Sequence, residues 1–515
     1  MEDLVAINGG YRRFGFSDLV LPCGFGSNRV GIQNSAEWVR TAFHDAITHN
    51  ASAGTGGLDA SILFEMDRPE NTGAAFNNTF GAMSGFVNIR SSAADVIAVA
   101  LVLAVTSCGG PSVPLRFGRV DATEAGPAGV PKPEDDLPST QTRFSTAGFT
   151  QTDMISMVAC GHSLGNIHSV DFPQLVSGNA SEANIATFDK TPASFDNAVV
   201  VEYLTSNTSN PLVVGTNSTT NSDMRIFSSD ANTTMSTLSD SATFRQTCAN
   251  IFERMINTVP STVTLSEPLE LRDIKPYFDK VQLQADGSIS IVGSIRVRTT
   301  TVTGRNPNDL AVTLPYTTRT GLSSDSQVIK TTLATLKGGQ SSGFNGESFH
   351  WFEFSQAIDG SAGIAAFNVS MSSISTGNTT LYDNSATGGY PLTAEILYQP
   401  GNSCLVQVTD GFRLQVVAAV RKELIDGGAS VSMEVVRKVP YAIGILLPRL
   451  VPESIPMTQV PSLERSGYVY FQGNTTLANE SWSTTFDISV TEGAQTFKVE
   501  FQKTTGLPST CGALS

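Results

Sequence analysis

The sequence predicts a multidomain chain with a helix-bearing first half and an all-β second half. Three observations carry this. Residues 38–49, 93–105 and 154–159 read as helices. Beyond them, 258–268 is dominated by Pro, Ser and Thr. After that stretch, helical spacing gives way to alternation, as in Ser288-Ile-Ser-Ile-Val-Gly-Ser-Ile-Arg-Val-Arg. At 515 residues the chain is too long for one ordinary domain. The expected boundaries are 1–262, 263–394 and 395–515, the last two separated near 391–399 or forming one continuous β region, 263–515.

Taken in order, residues 1–33 are irregular around Cys23. Residues 38–49 follow, and in them Arg40, Phe43 and His44 fall at i, i+3 and i+4 and share one helical face. A cation, an aromatic and an imidazole make a poor core face and a good catalytic one. Asp45 cannot share that face. It joins Gly57, Asp59 and Ser61, on a Gly-punctuated loop, as a set of hard oxygen ligands suited to calcium. Residues 93–105 form an apolar run too short to span a bilayer, so it reads as a buried helix. Thr150 and Asp153 have the spacing of a capping box ahead of a helix that ends near Gly161-His162-Ser163-Leu164-Gly165. In the second half, Phe412-Arg-Leu-Gln-Val-Val, Val431-Ser-Met-Glu-Val-Val, Gly467-Tyr-Val-Tyr-Phe and Thr496-Phe-Lys-Val-Glu-Phe read as strands of one or two sandwiches.

The formal net charge of -15 argues against nucleic-acid or anionic-membrane partners. Cys23, Cys108, Cys160, Cys248, Cys404 and Cys511 lack metal-finger spacing, and their pairing is open. Asn-x-Ser/Thr sequons recur at Asn50, Asn77, Asn179, Asn207, Asn217, Asn232, Asn368, Asn378, Asn474 and Asn479. Such density predicts a secreted, disulfide-bonded glycoprotein. The N-terminus lacks a basic region and an apolar signal core, so the expectation is a secreted protein whose signal peptide is missing from this sequence.

Arg40-x-x-Phe43-His44-Asp45 followed by Gly56-Gly57-Leu58-Asp59-Ala60-Ser61 resembles the distal side of the plant–fungal–bacterial haem peroxidase superfamily. Phe43 stands where intracellular members carry Trp, so the secreted fungal (class II-like) branch fits best. A second stretch, from Arg119 to Pro133, is also similar to that branch. The resemblance covers roughly the first half. It implies an all-α haem peroxidase domain with haem b and two calcium ions, ahead of the all-β, sandwich-like region that the strand alternation predicts.

The resemblance makes His44 the distal base, Arg40 its partner and Asn71 the residue that holds His44, with Glu65 upstream. Phe43 would wall the haem. His162 would be the axial iron ligand and Asp230 the carboxylate bonded to it. Asp45, Gly57, Asp59 and Ser61 would bind the distal calcium; Ser163, Asp189, Thr191, Ser194 and Asp196 the proximal one. The implied reaction is peroxide-dependent one-electron oxidation of small phenols or aromatic amines. Cell wall or lignocellulose is a further expected partner.

Bland readings stand beside these. A lone buried His is usually structural, and Asp230 by itself also reads as a helix cap. Cys160 is a packed thiol or a half-cystine. His49 and His350 read as surface or structural residues, and Trp38 as core. Manganese-oxidising relatives place three acids at positions matching Gln33, Glu37 and His168, of which only Glu37 keeps a carboxylate. A full Mn(II) site is therefore not expected. The competing class is a wall-associated binding or structural protein with a vestigial peroxidase half, against which the intact Arg40, His44 and His162 argue.

Overall fold

The computed structural model describes residues 1–26, 30–324 and 326–513. It divides into two compact units. The first comprises Met1–Asn8, Arg13–Leu271 and Ala442–Leu447; the second comprises Gly9–Arg12, Arg272–Tyr441 and Pro448–Ser515. The main division lies between Leu271 and Arg272, later than residue 262. Backbone pairing explains the difference. Ser266 donates to the Phe117 carbonyl and Leu269 to the Leu115 carbonyl, which ties this extended stretch to the first unit.

The first unit is mainly helical and includes a two-stranded pairing of Asn166–His168 with Ile185–Thr187. Its centre is the helix Ala93–Ser107, buried throughout 93–105. Ser92 caps its start by accepting from the Asp95 N–H, and the Asp121 carboxylate accepts from Ala93 and Ala94, so the exposed amides of the first turn are satisfied. The one charge in this apolar run, Asp95, pairs with buried Arg119 at 2.9 Å.

Two further helices carry the site: the distal helix Asn34–Ala46 and the proximal helix Gln151–Gly161. The proximal one starts with the expected capping box between Thr150 and Asp153. Trp38 is fully buried in the core. Disulfides Cys23–Cys108 and Cys160–Cys248 staple this unit, so Cys160 is a half-cystine. The second of them anchors the end of the proximal helix to helix Ser241–Ile256.

The second unit is β-rich. Strand Ser348–Asp359 pairs antiparallel with Ser288–Arg298, which pairs in turn with Ile274–Leu283. Strand Gly411–Arg421 pairs antiparallel with Tyr468–Leu477, and Ser430–Val439 with Thr485–Glu492. Two hydrophobic cores result. Leu414, Val416, Ala418 and Val420 enter one, while Val417 and Ala419 enter the other. The period of two along a strand sends neighbours to opposite faces, so this continuous apolar run serves both cores at once. The 394/395 boundary expected from sequence therefore falls inside one unit whose cores share a sheet. Cys404–Cys511 closes the unit.

Candidate active site

A cavity of about 430 Å³ opens in the first unit between the distal and proximal helices. Arg40, Phe43 and His44 line one side and His162 and Phe188 the other. The i, i+3, i+4 spacing thus delivers the three distal side chains to one space.

His44 is buried, and its Nδ1 lies 2.8 Å from Asn71 Oδ1. The Asn71 amide nitrogen donates to the Glu65 backbone carbonyl at 2.9 Å, so its oxygen is the atom turned to the imidazole. A carbonyl oxygen only accepts; His44 therefore carries its proton on Nδ1 and keeps Nε2 as a free base. Burial, and secondarily the charge of Arg40, pushes the His44 pKa down to about 3. Arg40 Nε sits 3.4 Å from that Nε2. Its guanidinium lies 4.7 Å from the centre of the Phe76 ring and donates to the Thr72 carbonyl. Burial lowers the Arg40 pKa to about 10, which leaves it cationic at neutral pH.

On the proximal side, His162 follows the last residue of its helix. Its Nδ1 lies 2.8 Å from Asp223 Oδ2, and Phe188 stacks on its ring at 4.2 Å. Asp223 is buried to 1% exposure and stands in the first turn of helix Ser222–Phe227. The expected partner, Asp230, is not there. Its carboxylate accepts instead from the Thr234 amide at 2.9 Å and the Thr234 hydroxyl at 2.5 Å, at the start of helix Thr233–Leu238. Asp230 satisfies a first-turn amide of that helix from two residues before its N-cap Asn232, close to the bland alternative, and Asp223 is the carboxylate at the histidine. No sequence signal singled out Asp223: it stands in a short helix, and only its place on the cavity wall marks it. Phe76, Phe172 and Phe188 were also missed, since isolated phenylalanines carry no motif.

The acid-bearing loops adjoin both histidines. Asp45 is fully buried and accepts from Ala60 and Ile62 amides at 2.7 and 3.0 Å. Burial, then the neighbouring Asp59 and Glu65 carboxylates, pushes its pKa well up. Asp59 accepts from the Ser61 amide. Gly57 has φ 108°, and a Cβ there would lie 2.4 Å from the Thr258 carbonyl oxygen, so only glycine fits.

On the other side, Thr191 donates to Asp196 at 3.0 Å and its amide to Asp189 at 2.8 Å. Asp189 Oδ2 is buried without a hydrogen-bond partner among the described residues. Burial, then Asp196 and Glu202, raises the Asp189 pKa to about 6. Ser163 is buried, with its hydroxyl on the Cys160 carbonyl, while Ser194 is exposed. Among the described residues no group of three or more His, Cys, Asp and Glu side chains is placed to hold a metal ion. Both loops set acids beside hydroxyls and carbonyls instead, hard oxygen donors of the kind calcium takes.

Gln33, Glu37 and His168 all line the cavity. Gln33 donates to the Pro192 carbonyl at 2.9 Å, Glu37 accepts from Asn78 at 2.8 Å, and His168 Nδ1 lies 3.1 Å from the Glu182 carbonyl. His49 and His350 are structural, bonded to the Gly56 carbonyl and the Thr299 hydroxyl.

Residues 28–244 match the Peroxidase family model. A WSC domain-containing protein of Arthroderma benhamiae is 38% identical over 518 residues, 99% of this chain and 67% of that protein. L-ascorbate peroxidase 5, peroxisomal, of Arabidopsis thaliana is 34% identical over 32% of this chain and 56% of its own length. Manganese peroxidase 2 of Phlebia radiata is 34% identical over 33% of this chain and 44% of its own. The chain thus spans about two thirds of the first relative and about half of each of the two peroxidases.

The two aspartates should separate cleanly. Asp223→Ala should abolish the hydrogen-bonded Nδ1 proton signal of His162 in NMR spectra. Asp230→Ala should keep that signal and lower unfolding stability by roughly 0.5–2 kcal/mol, the range for a lost helix cap. The opposite pattern would restore Asp230 as the partner.

Proposed function

Since the chain belongs to the plant–fungal–bacterial peroxidase superfamily, we propose that it is a haem peroxidase using hydrogen peroxide to oxidise small phenols or aromatic amines. One observation carries the reading. Two imidazoles face the same cavity, each with Nδ1 committed to a buried acceptor and Nε2 left basic. The residues present fit haem b: apolar walls from Phe43, Leu164 and Phe188, one basic nitrogen for the metal at His162 and another, with Arg40, for peroxide at His44.

Haem, when bound, supplies the electrons that cleave peroxide and recovers them singly from the donor. His44 Nε2 takes the proton from one peroxide oxygen and returns it to the other, which leaves as water. Its depressed pKa keeps it unprotonated and ready. Arg40 steadies the negative charge that develops on the departing oxygen. Asn71 holds the tautomer, and Asp223 holds His162 with its basic nitrogen outward. Asp45, Gly57, Asp59 and Ser61 would hold one calcium ion; Ser163, Asp189, Thr191, the Ser194 carbonyl and Asp196 a second. These ions would brace His44 and His162 through their chain neighbours.

None of the sequon asparagines is buried, and all six cysteines are paired, which supports an extracellular glycoprotein. No helix among the described residues is long and apolar enough to cross a membrane. A second reading, a wall-associated binding protein with an inactive peroxidase half, draws on the relative named for a WSC domain. The complete Arg40, His44 and His162 arrangement favours the enzyme.

His44→Leu should retain haem yet slow the reaction with peroxide by ~10²–10⁴-fold, the contribution of a positioned acid–base group. Stopped-flow rates within a few-fold of wild type would overturn its role. Chelation should inactivate the protein and loosen the distal helix; elemental analysis finding no calcium in active protein would remove both ions from the proposal. Phenols should be turned over efficiently and Mn(II) poorly, because Gln33 is neutral and already spent on the Pro192 carbonyl. Saturable Mn(II) oxidation lost in Glu37→Ala would reverse that expectation.

A further inference from the structure

The carboxylate beside His162 has a second donor. Asn210 is fully buried, and its Nδ2 lies 2.8 Å from Asp223 Oδ2, the same oxygen that receives the His162 Nδ1 proton. Among the described residues, the other carboxylate oxygen has only the Ser222 hydroxyl, at 3.4 Å. The orientation of the Asn210 amide is fixed by chemistry. Its Oδ1 accepts from the Leu212 N–H at 2.9 Å, and a backbone amide can only donate. The NH₂ group must therefore face the carboxylate, which can only accept. Asn210 is held further by its own amide, which donates to the Thr208 hydroxyl, and by Pro211 at the first helical position.

We propose that Asn210 is a positioning residue that tunes His162 through Asp223; the inference rests on the haem reading above. An acceptor shared between two donors is a weaker base toward each. With the Asn210 amide on the same oxygen, the hydrogen bond from His162 Nδ1 to Asp223 is weaker, and the ring is less electron-rich. A less anionic imidazole donates less charge to a bound iron and stabilises the ferric state less, so the ferric/ferrous potential stands higher. Without that donor, the hydrogen bond from His162 Nδ1 to Asp223 would strengthen and the potential would fall. The function of the site thus extends one residue past the usual His–carboxylate pair, to a side chain with no contact to the cavity's reacting atoms.

The test uses the full-length, haem-loaded chain and two variants. Asn210→Ala removes the donor and the cap together. Asn210→Ser keeps a cap for the Leu212 amide, because serine is a good N-cap, but its hydroxyl is too short to replace the amide at Asp223. Both should lower the ferric/ferrous midpoint potential and raise the iron–histidine stretching frequency of the ferrous protein. If Asn210→Ala does not fold, Asn210→Ser decides. A wild-type potential and stretching frequency in Asn210→Ser would reduce Asn210 to a helix cap and overturn the inference. A wild-type chain that shows no histidine-ligated haem spectrum would overturn the haem reading itself, and this inference with it.

Discussion

The site depends on one arrangement made twice: an imidazole whose Nδ1 proton is claimed by a buried acceptor. At His44 the acceptor is the Asn71 amide oxygen, and at His162 it is the Asp223 carboxylate. The difference in charge between these acceptors separates the two roles. A neutral amide leaves His44 a base able to take up a proton and release it. A carboxylate acceptor suits His162 to the iron-ligand role proposed for it. Removing either acceptor would leave a ring free to rotate and to exchange tautomers, and the cavity would lose its polarity.

Those acceptors are themselves held by backbone. Asn71 is oriented by the Glu65 carbonyl, and Asn210, which bonds Asp223, by the Leu212 amide. Backbone groups fixed in loops and first turns do not reorient with pH or ligand, so they make reliable anchors. The disulfide from Cys160 to Cys248 adds a covalent anchor two residues before His162. Closing a loop of that length restricts the unfolded chain by about 4–5 kcal/mol.

The acid-bearing loops belong to the same design. Asp45 follows His44 and Ser163 follows His162, so whatever fixes these loops fixes both imidazoles. Asp45 and Asp189 are pushed up in pKa by burial and by neighbouring carboxylates. The second unit is held by different means: apolar alternation, a sheet buried on both faces, and one disulfide.

Local spacing was enough to determine the distal face, the capping box at Thr150, the buried helix after Ser92 and the change to strands. Each depends on residues within a turn or a strand of one another, where geometry is set by covalent periodicity. The motifs around His44 and His162 are contiguous stretches, and the family resemblance made them legible. Which aspartate meets His162 was not. Asp223 and Asp230 are seven residues apart in a region of short helices, and only the packing of Ser222–Phe227 against the cavity chose between them. The pairing of cysteines, the sharing of one sheet by two β cores and the amide of Asn210 behind Asp223 were likewise decided in three dimensions. In each case the partners are far apart in the chain or lie outside any repeating pattern, so their meeting depends on how the whole unit packs.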